Sequence, residues 1–268
     1  MTYIRIAIVD AFGRMGKYLI QAVQQTKGVL LGTVLTHRKL SKLDLDAGDL
    51  VGIGKIGVIV NNNLEEVIDK FDVLIDFTRP EGTLKYLDFC CKHNKAMVIG
   101  TTGLNDKACE IIYAASKEIA IVFSSNFSVG ITLMLNLIKQ TTKSLGSYTD
   151  IDIIEAHHRH KIDAPSGTAL TIGNVIANCM NWKLEDHIIH NDARTTKERK
   201  PHSISFSSIR AGDIIGEHTV MFTDIGERIE ISHKTSSRFI FANGAIKAAQ
   251  WLNKKNVGLY NMFDVLDL

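Results

Sequence analysis

The strongest constraint on the fold is a repeated alternation in the first half of the chain. Short apolar runs rich in Ile and Val alternate there with stretches of helical spacing. Buried parallel strands have this composition, and helices connect them through right-handed crossovers. The alternation predicts an α/β fold with a Rossmann-like, doubly wound parallel sheet. Its strands are expected at residues 3–10, 29–35, 72–78, 96–100 and 119–123, with helices at 17–26, 81–93 and 106–118.

The pattern changes after Ser128, where a second, α+β domain with an open mixed or antiparallel sheet is predicted. Helices are expected at 129–145 and 167–180, the second with Ser166 as its N-cap, and a surface loop at 181–201. Strands are expected at 150–157, 203–210, 217–223 and 227–233, the last three with antiparallel character and the last two joined by a hairpin turn at 224–226. The helix at 238–252 can return to the first domain, so the predicted domains are 1–127 with 239–268, and 128–238. Open sheets often bury their free face against another subunit, which favours an oligomer.

Composition excludes several classes of protein. The 268 residues are 45% hydrophobic and 22% charged, as in a globular chain, and the net charge of +2 gives no reason to invoke nucleic acid or a membrane surface. No apolar run approaches the ~20 residues of a membrane span, and the N-terminus does not resemble a signal peptide. The four cysteines form no Cys-x-x-Cys pair and are expected to be buried thiols, which favours the cytoplasm.

The first predicted strand leads into the turn Asp10-Ala-Phe-Gly13-Arg-Met-Gly16. A strand, a glycine turn and a helix form the dinucleotide-binding arrangement, in which N–H groups at the helix start receive the pyrophosphate. Asp10 stands where the first glycine is usual, and its carboxylate adds repulsion near phosphates. The alternative is a strand–turn–helix whose glycines serve only packing.

The second strand ends without the carboxylate that accepts ribose hydroxyls in many NAD-binding sheets. The side chains of His37, Arg38 and Lys39 follow it and would suit the 2′-phosphate of NADP. A solvated basic loop is the alternative interpretation, since charge runs often have no other meaning.

A cluster of five basic side chains follows the strand at 150–157, comprising His157, His158, Arg159, His160 and Lys161. Like charges repel one another unless an anion compensates, so the cluster indicates an anionic ligand. Zinc is disfavoured because the neighbouring Arg and Lys would repel a cation, and no metal site is expected. Neighbouring cations also make it easier for Lys161 to release a proton near neutral pH.

The segment Pro165-Ser-Gly-Thr168 opens a predicted helix directly after this cluster. Backbone N–H groups around Gly167 and Thr168 would form an anion pocket. A cationic strand end beside a helix N-terminus suits a compact substrate with two carboxylates. The alternative is an N-cap next to a surface patch.

At this point the chain resembles the dihydrodipicolinate reductase family, also called 4-hydroxy-tetrahydrodipicolinate reductase, of lysine and diaminopimelate biosynthesis. The resemblance runs nearly end to end, and the stretch from Glu155 to Thr168 is its most specific part. The other matching segments are Gly13-Arg-Met-Gly16, Asp76-Phe-Thr-Arg-Pro80, Gly100-Thr-Thr-Gly103, Ser125-Asn-Phe127, Arg210-Ala-Gly-Asp213 and Gly216-Glu-His218.

The resemblance implies hydride transfer from NADPH or NADH to a cyclic, unsaturated dicarboxylate in a homotetramer. It implies that His157 and Lys161 handle protons, with Lys161 the donor to the ring. His158, Gly167 and Thr168 would contact the substrate carboxylates, and Arg238 would lie near a hinge. The cofactor would be bound by Asp10, Gly13, Arg14, Met15, Thr36, His37, Phe77, Gly100, Thr101, Thr102, Ser124, Ser125, Asn126 and Phe127.

The chain departs from the family pattern only in the cofactor half. The family usually has Gly at the position of Asp10, commonly an acid at that of Thr36, and often Arg at that of His37. Two alternatives to the reductase stay open: a weakened or non-catalytic descendant that binds dinucleotide poorly, and a reductase of the same fold acting on another imine or keto acid.

Overall fold

The computed structural model describes residues 3–37, 45–190 and 198–268. The chain divides into two compact units, one formed by residues 1–129 and 238–268 and the other by residues 130–237. In chain order, the strands of the described residues are β1 (Ile4–Ile8), β2 (Val29–Leu35), β3 (Val60–Asn61), β4 (Val73–Asp76), β5 (Ala96–Ile99), β6 (Ala120–Phe123), β7 (Asp150–His157), β8 (Ile188–His190), β9 (Ile204–Arg210), β10 (Gly216–Asp224), β11 (Glu227–Thr235) and β12 (Gly258–Tyr260).

The helices of the described residues include the six that the sequence predicts and further short ones that it does not. They are α1 (Arg14–Gln25), α2 (Ala47–Leu50), α3 (Pro80–Lys92), α4 (Asp106–Ala115), α5 (Val129–Leu145), α6 (Gly167–Met180), α7 (Leu184–His187), α8 (Phe239–Leu252) and α9 (Met262–Leu266), with a 3₁₀ helix at Glu65–Lys70. The bounds of α5 and α6 are those expected from the sequence, and Ser166 accepts a hydrogen bond from the N–H of Ala169 as the N-cap of α6.

The first unit contains a seven-stranded sheet of order β12-β6-β5-β4-β1-β2-β3, in which the neighbouring strands pair in parallel. The predicted Rossmann-like sheet is therefore confirmed. Its strands are buried on both faces because helices cover each side, and Ile6, Ile8 and Ile75 are fully excluded from solvent. The chain reverses its direction of winding between β1 and β4, where ligands of such sheets bind.

The second unit contains a five-stranded sheet of order β11-β10-β7-β9-β8. The sheet is mixed: β10 pairs antiparallel with β7 and β11, whereas β9 pairs in parallel with β7 and β8. The antiparallel character expected for 203–210 was wrong, because the long connection through α6 and α7 brings β9 back in the direction of β7. The hairpin expected at 224–226 is confirmed, with Gly226 at a φ of +87°.

The surface loop expected at 181–201 is wrong for its first half. Residues 184–190 form α7 and β8, because buried Leu184 packs on α6 and the Trp182 ring stacks on His187 with centroids 4.2 Å apart. The rest of that prediction, at 191–197, lies outside the described residues.

The four cysteines are free thiols, and the expectation that they are buried holds only for Cys90. Cys91, Cys109 and Cys179 are partly exposed, since helical neighbours such as Cys90 and Cys91 face different directions. Among the described residues, no helix is both long and apolar enough to cross a bilayer.

Candidate active site

The turn after β1 keeps the backbone of a dinucleotide-binding turn although Asp10 replaces glycine. Asp10 has a φ of +59°, in the left-handed region that Asp tolerates better than most residues. Its carbonyl accepts a hydrogen bond from the N–H of Gly13 at 2.9 Å, and a Cβ on Gly16 would lie 2.2 Å from that carbonyl oxygen. The glycines therefore remain necessary for packing, and α1 begins directly after Gly13.

The Asp10 carboxylate lies over this turn. A Cβ on Gly13 would be 2.2 Å from Asp10 Oδ2, so the acidic group occupies the space above the Gly13 α-carbon. Among the described residues, the Asp10 side chain forms no hydrogen bond and no ion pair. An unpaired negative charge thus faces the helix N-terminus that would receive a phosphate.

The cofactor residues expected from the resemblance all follow the carboxyl ends of neighbouring parallel strands. Thr36, buried, and His37, exposed, follow β2, while Phe77 follows β4 and Gly100 follows β5. Carboxyl ends of parallel strands meet at one edge of a sheet, so the structure brings these side chains to that edge. The same edge holds Gly13, exposed Arg14 and Met15 after β1, Thr101 and Thr102 after β5, and Ser124, Ser125, Asn126 and Phe127 after β6.

An aromatic pair shapes the part of the edge next to β5 and β6. The Phe77 ring packs against the α-carbon of Gly100, where a Cβ would lie 2.2 Å from the ring, and it meets Phe127 with centroids 5.3 Å apart. Beneath them, the Thr101 hydroxyl donates to buried Asp76 at 3.3 Å and also meets the Thr83 hydroxyl at 2.8 Å. Burial raises the pKa of Asp76.

A cleft of about 640 Å³ lies at the switch point of the sheet. Asp10 and His37 line it together with the exposed cations Arg79 and Lys85. Its remaining lining residues are Phe77, Thr78, Glu81, Gly82 and Tyr86. Burial, followed by the charges of Asp76 and Asp10, raises the pKa of Tyr86. The cleft has the position and size for part of a dinucleotide, and the residues fit such a group apart from the added charge of Asp10.

In the second unit, His157 ends β7 with its ring held by a buried carboxylate. His157 Nδ1 lies 2.6 Å from Glu155 Oε2, and the same carboxylate accepts from both terminal nitrogens of Arg210, at 2.8 and 2.7 Å. The N–H of Ser166 donates to Glu155 at 3.2 Å. Despite the desolvation of Glu155, which opposes ionisation, the bonds from Arg210 and its other partners lower its pKa to about 2.

Lys161 lies in the loop after β7, paired with Asp163. Its Nζ donates to both oxygens of that carboxylate at 2.9 Å, and its backbone N–H donates to the carbonyl of His158 at 3.0 Å. The hydrogen bond from Lys161 lowers the pKa of Asp163. Asp163 thus places a negative charge directly beside Lys161, in addition to the cations that the sequence places near it. Arg159 and His160 are exposed in the same loop.

The start of α6 faces the buried end of this sheet. Ser166 Oγ lies 3.0 Å from His218 Nε2 on β10, and His218 meets His157 with ring centroids 5.2 Å apart. Gly167 is exposed, with nothing within 4 Å of the place where a Cβ would stand, and Thr168 is partly exposed. The helix start therefore offers free space next to its first N–H groups, as an anion pocket requires.

The structure brings His157, Lys161 and the α6 N-terminus together in one unit, and the remaining predicted residues at one edge of the other. Arg38 and Lys39 of the predicted basic run lie outside the described residues. Sequence reasoning gave no role to Glu155, Arg210, His218, Arg79 or Lys85. The sequence marks these residues only by placing them in or near the segments that carry the family resemblance. Which of them contact one another is visible only in the folded chain.

No group of three or more His, Cys, Asp or Glu residues capable of holding a metal ion occurs within residues 3–37, 45–190 and 198–268. In the 157–161 segment, His157 is buried against Glu155 while His158 and His160 face each other at 6.3 Å between centroids.

A dinucleotide-type sheet joined to a unit with a cationic, histidine-containing site defines a nicotinamide-dependent oxidoreductase. Residues 4–127 match the family described as "Dihydrodipicolinate reductase, N-terminus", and residues 130–266 match "Dihydrodipicolinate reductase, C-terminus". The chain therefore belongs to the dihydrodipicolinate reductase family and is an NAD(P)H-dependent reductase of lysine and diaminopimelate biosynthesis.

Solved structures agree with this assignment. A dihydrodipicolinate reductase from Paenisporosarcina sp. TG-14, bound to dipicolinate, is 26% identical with a TM-score of 0.80 over 98% of this chain and 99% of that one. An amine dehydrogenase from Mycobacterium smegmatis is 12% identical with a TM-score of 0.62 over 97% and 95% of the two chains. A C. glutamicum DAP dehydrogenase in complex with DAP is 13% identical with a TM-score of 0.56 over 98% and 94%. The last two similarities show the fold alone.

Proposed function

We propose that this chain reduces 4-hydroxy-tetrahydrodipicolinate (dihydrodipicolinate) to tetrahydrodipicolinate with Lys161 and His157 as its proton-handling residues. The observation that carries this assignment is that the start of α6 at Ser166 is linked to His157 through Glu155 and His218, within one unit. The dipicolinate bound to the Paenisporosarcina enzyme is a ring with two carboxylates, which is the kind of ligand that such a site suits.

Each part of the site has a task in this proposal. Backbone N–H groups of Gly167 and Thr168 bind one carboxylate, and His158 binds the other. Loss of water from 4-hydroxy-tetrahydrodipicolinate gives the unsaturated ring of dihydrodipicolinate, and reduction then adds a hydride and a proton to that ring. The hydride is what NADPH or NADH supplies when bound. Lys161 donates the proton from Nζ, and its bond to Asp163 holds the ammonium in place until substrate arrives.

The cofactor residues of the proposal occupy the carboxyl edge of the seven-stranded sheet. The N–H groups at the start of α1, next to Gly13, Arg14 and Met15, bind the pyrophosphate. The edge formed by Phe77, Gly100 and Phe127 binds the nicotinamide side, with Thr101, Thr102 and residues 124–126 beside it. His37, Arg79 and Lys85 favour the 2′-phosphate of NADPH over the bare ribose of NADH.

A homotetramer is the assembly we propose, supported by the outer face of the second sheet. Alternation along the strands places Ile154, Ile209 and Met221 on the face opposite the one that α6 covers. Ile209 is 49% exposed, and a face with such residues is stabilised by contact with another subunit. We also propose the cytoplasm as the location, on the four unpaired cysteines.

The test is an assay with the product of dihydrodipicolinate synthase. We expect saturable oxidation of NADPH or NADH that depends on that product, with turnover lost on replacing Lys161. Saturable cofactor binding without any oxidation would indicate another imine or keto acid as the substrate. No saturable binding of either cofactor would contradict the assignment and indicate a non-catalytic descendant.

A further inference from the structure

A row of polar side chains, some buried and some partly buried, crosses the inner face of the second sheet next to His157. Glu155 on β7 is 1% exposed and lies opposite His218 of β10 in register, and His218 lies opposite His233 of β11. Arg210 of β9 is the register partner of His157. These side chains come from four strands, so their meeting depends on the strand order and could not be inferred from spacing within one segment.

The Glu155 carboxylate is bound on every side by donors. Arg210 gives two charge-assisted hydrogen bonds in a bidentate arrangement, Ser166 gives a backbone N–H, and the His157 ring meets Oε2 at 2.6 Å. A buried carboxylate with a permanent guanidinium partner remains an anion, in agreement with its pKa of about 2. An ionised carboxylate can only accept, so the His157 nitrogen that faces it carries a proton.

The other ring nitrogen of His157 has a different environment. Nε2 forms no hydrogen bond with any described residue, and the nearest glycine, Gly216, would place a Cβ 3.2 Å from it. The absence of a side chain at Gly216 leaves room beside this nitrogen. The neutral imidazole therefore has its proton on Nδ1 and a lone pair on Nε2.

We propose that Glu155 and Arg210 are positioning residues for His157: Glu155 fixes the tautomer that leaves Nε2 free to exchange a proton, and Arg210 limits how strongly Glu155 holds that proton on the ring. This inference rests on the proposed function, in which His157 handles a proton. Glu155 alone would stabilise the imidazolium strongly, whereas a carboxylate shared with Arg210 stabilises it less.

Other titratable groups face His157 from each neighbouring element. His218 on β10 is neutral near pH 7, because burial and then the charge of His157 lower its pKa to about 4. Burial also lowers the pKa of His233 on β11. Lys161 and Asp163 in the following loop form a pair with each other, so their charges largely cancel. The Glu155–Arg210 pair is thus the main charged influence on the His157 ring.

The proposal predicts opposite effects from removing the two partners. In Glu155→Gln a protonated ring loses its anion but keeps Arg210 nearby, so the limb of the activity–pH profile that depends on this proton moves to lower pH. In Arg210→Gln, Glu155 loses its guanidinium partner and interacts more strongly with His157, so the same limb moves to higher pH. Turnover should fall on the order of 10- to 100-fold in each, within the range that acid–base catalysis contributes.

A matched control exists on the same strand. Asp152 of β7 accepts from Arg199 at 2.9 and 3.0 Å, which is a second Arg–carboxylate pair with no histidine on its carboxylate. Asp152→Asn removes a comparable contact and should leave the pH profile where it is. Cofactor affinity should be unchanged in all three variants, because the cofactor residues belong to the other unit, and Arg210→Lys should restore part of the turnover.

Nitrogen-15 NMR of the histidine rings tests the tautomer without relying on turnover, with His157→Gln used to assign the signals. We expect the neutral ring of wild-type His157 to be protonated at Nδ1 and unprotonated at Nε2. The opposite tautomer, or pH profiles of Glu155→Gln and Arg210→Gln that shift in the same direction or not at all, would overturn the proposal. If a variant fails to fold, the wild-type spectrum still decides. Absence of wild-type turnover would contradict the proposed function and leave the tautomer result standing.

Discussion

Glu155 and Asp10 are both carboxylates near the carboxyl end of a strand, and their surroundings differ. Glu155 is buried in the second unit and is bonded to Arg210, His157 and Ser166. Asp10 lies over a turn in the first unit, and among the described residues its side chain has no hydrogen-bond or ion-pair partner. A paired, buried charge is fixed by its surroundings, whereas an unpaired one can act on whatever binds next to it.

The contrast corresponds to the family pattern. By the resemblance, the substrate unit keeps that pattern, and its buried carboxylate Glu155 is paired with Arg210. The cofactor unit has Asp10 in place of glycine and Thr36 in place of an acid, yet its backbone turn is intact. The comparison teaches that a glycine turn can accept another residue when its backbone geometry is kept. Phosphates are bound at such turns chiefly by backbone N–H groups.

The largest effect is expected at Lys161. Lys161→Ala removes the proton donor and should lower turnover on the order of 10²- to 10⁴-fold. Cofactor affinity should hardly change, because the cofactor residues belong to the other unit. Steady-state kinetics combined with calorimetric titration of NADPH would measure both quantities. Equal losses in turnover and cofactor affinity would contradict the role given to Lys161.

A smaller effect, on stability, is expected from the paired state of Glu155. Its pKa in the folded chain is about 2 against an ordinary value of 4.5, so the unfolded chain binds more protons between these values. The stabilisation from Glu155 is then fully present above about pH 4.5 and is lost as the pH falls towards about 2. Urea unfolding across this window should show wild type and Glu155→Gln converging as the pH decreases. Parallel curves would mean that Glu155 does not titrate as proposed.

Much of the fold was predictable from the sequence, because it depends on local patterns. The buried runs of β1 and β4 and the spacing of α5 and α6 indicate their elements directly. The parallel pairing of β9 was missed because direction depends on the long connection before it. The same distinction applies to the site. His157 and Lys161 were predictable because they belong to one continuous motif, whereas the contact of Glu155 with Arg210 was not, because it joins residues 55 positions apart.

The exposed carboxylate of Asp10 should weaken cofactor binding. Asp10→Gly removes its charge next to the start of α1 and should tighten NADPH binding on the order of 5-fold at low salt. Asp10→Asn is the matched control, since Asn keeps the shape and tolerates the left-handed backbone. If the charge is responsible, both variants bind more tightly and the gain shrinks at high salt. Unchanged affinity in both would show that the carboxylate points away from the phosphates.

The smallest effect, on cofactor affinity, is expected from charge changes in the cleft at the switch point of the first sheet. Lys85→Gln should weaken NADPH binding a few-fold and NADH binding less, because an exposed cation contributes little and only NADPH carries the 2′-phosphate. Glu81→Gln, a charge change of opposite sign in the same cleft, should have the opposite effect. Equal changes for both cofactors would place Lys85 away from the adenosine end.

The most direct test of the assignment is the oxidation of NADPH and of NADH in the presence of freshly made dihydrodipicolinate synthase product, followed by nicotinamide absorbance. The intact substrate unit predicts saturable, product-dependent oxidation, with Asp10→Gly lowering the KM for the cofactor and leaving kcat nearly unchanged. Saturable binding of both cofactors with no oxidation of either would contradict the proposed reaction.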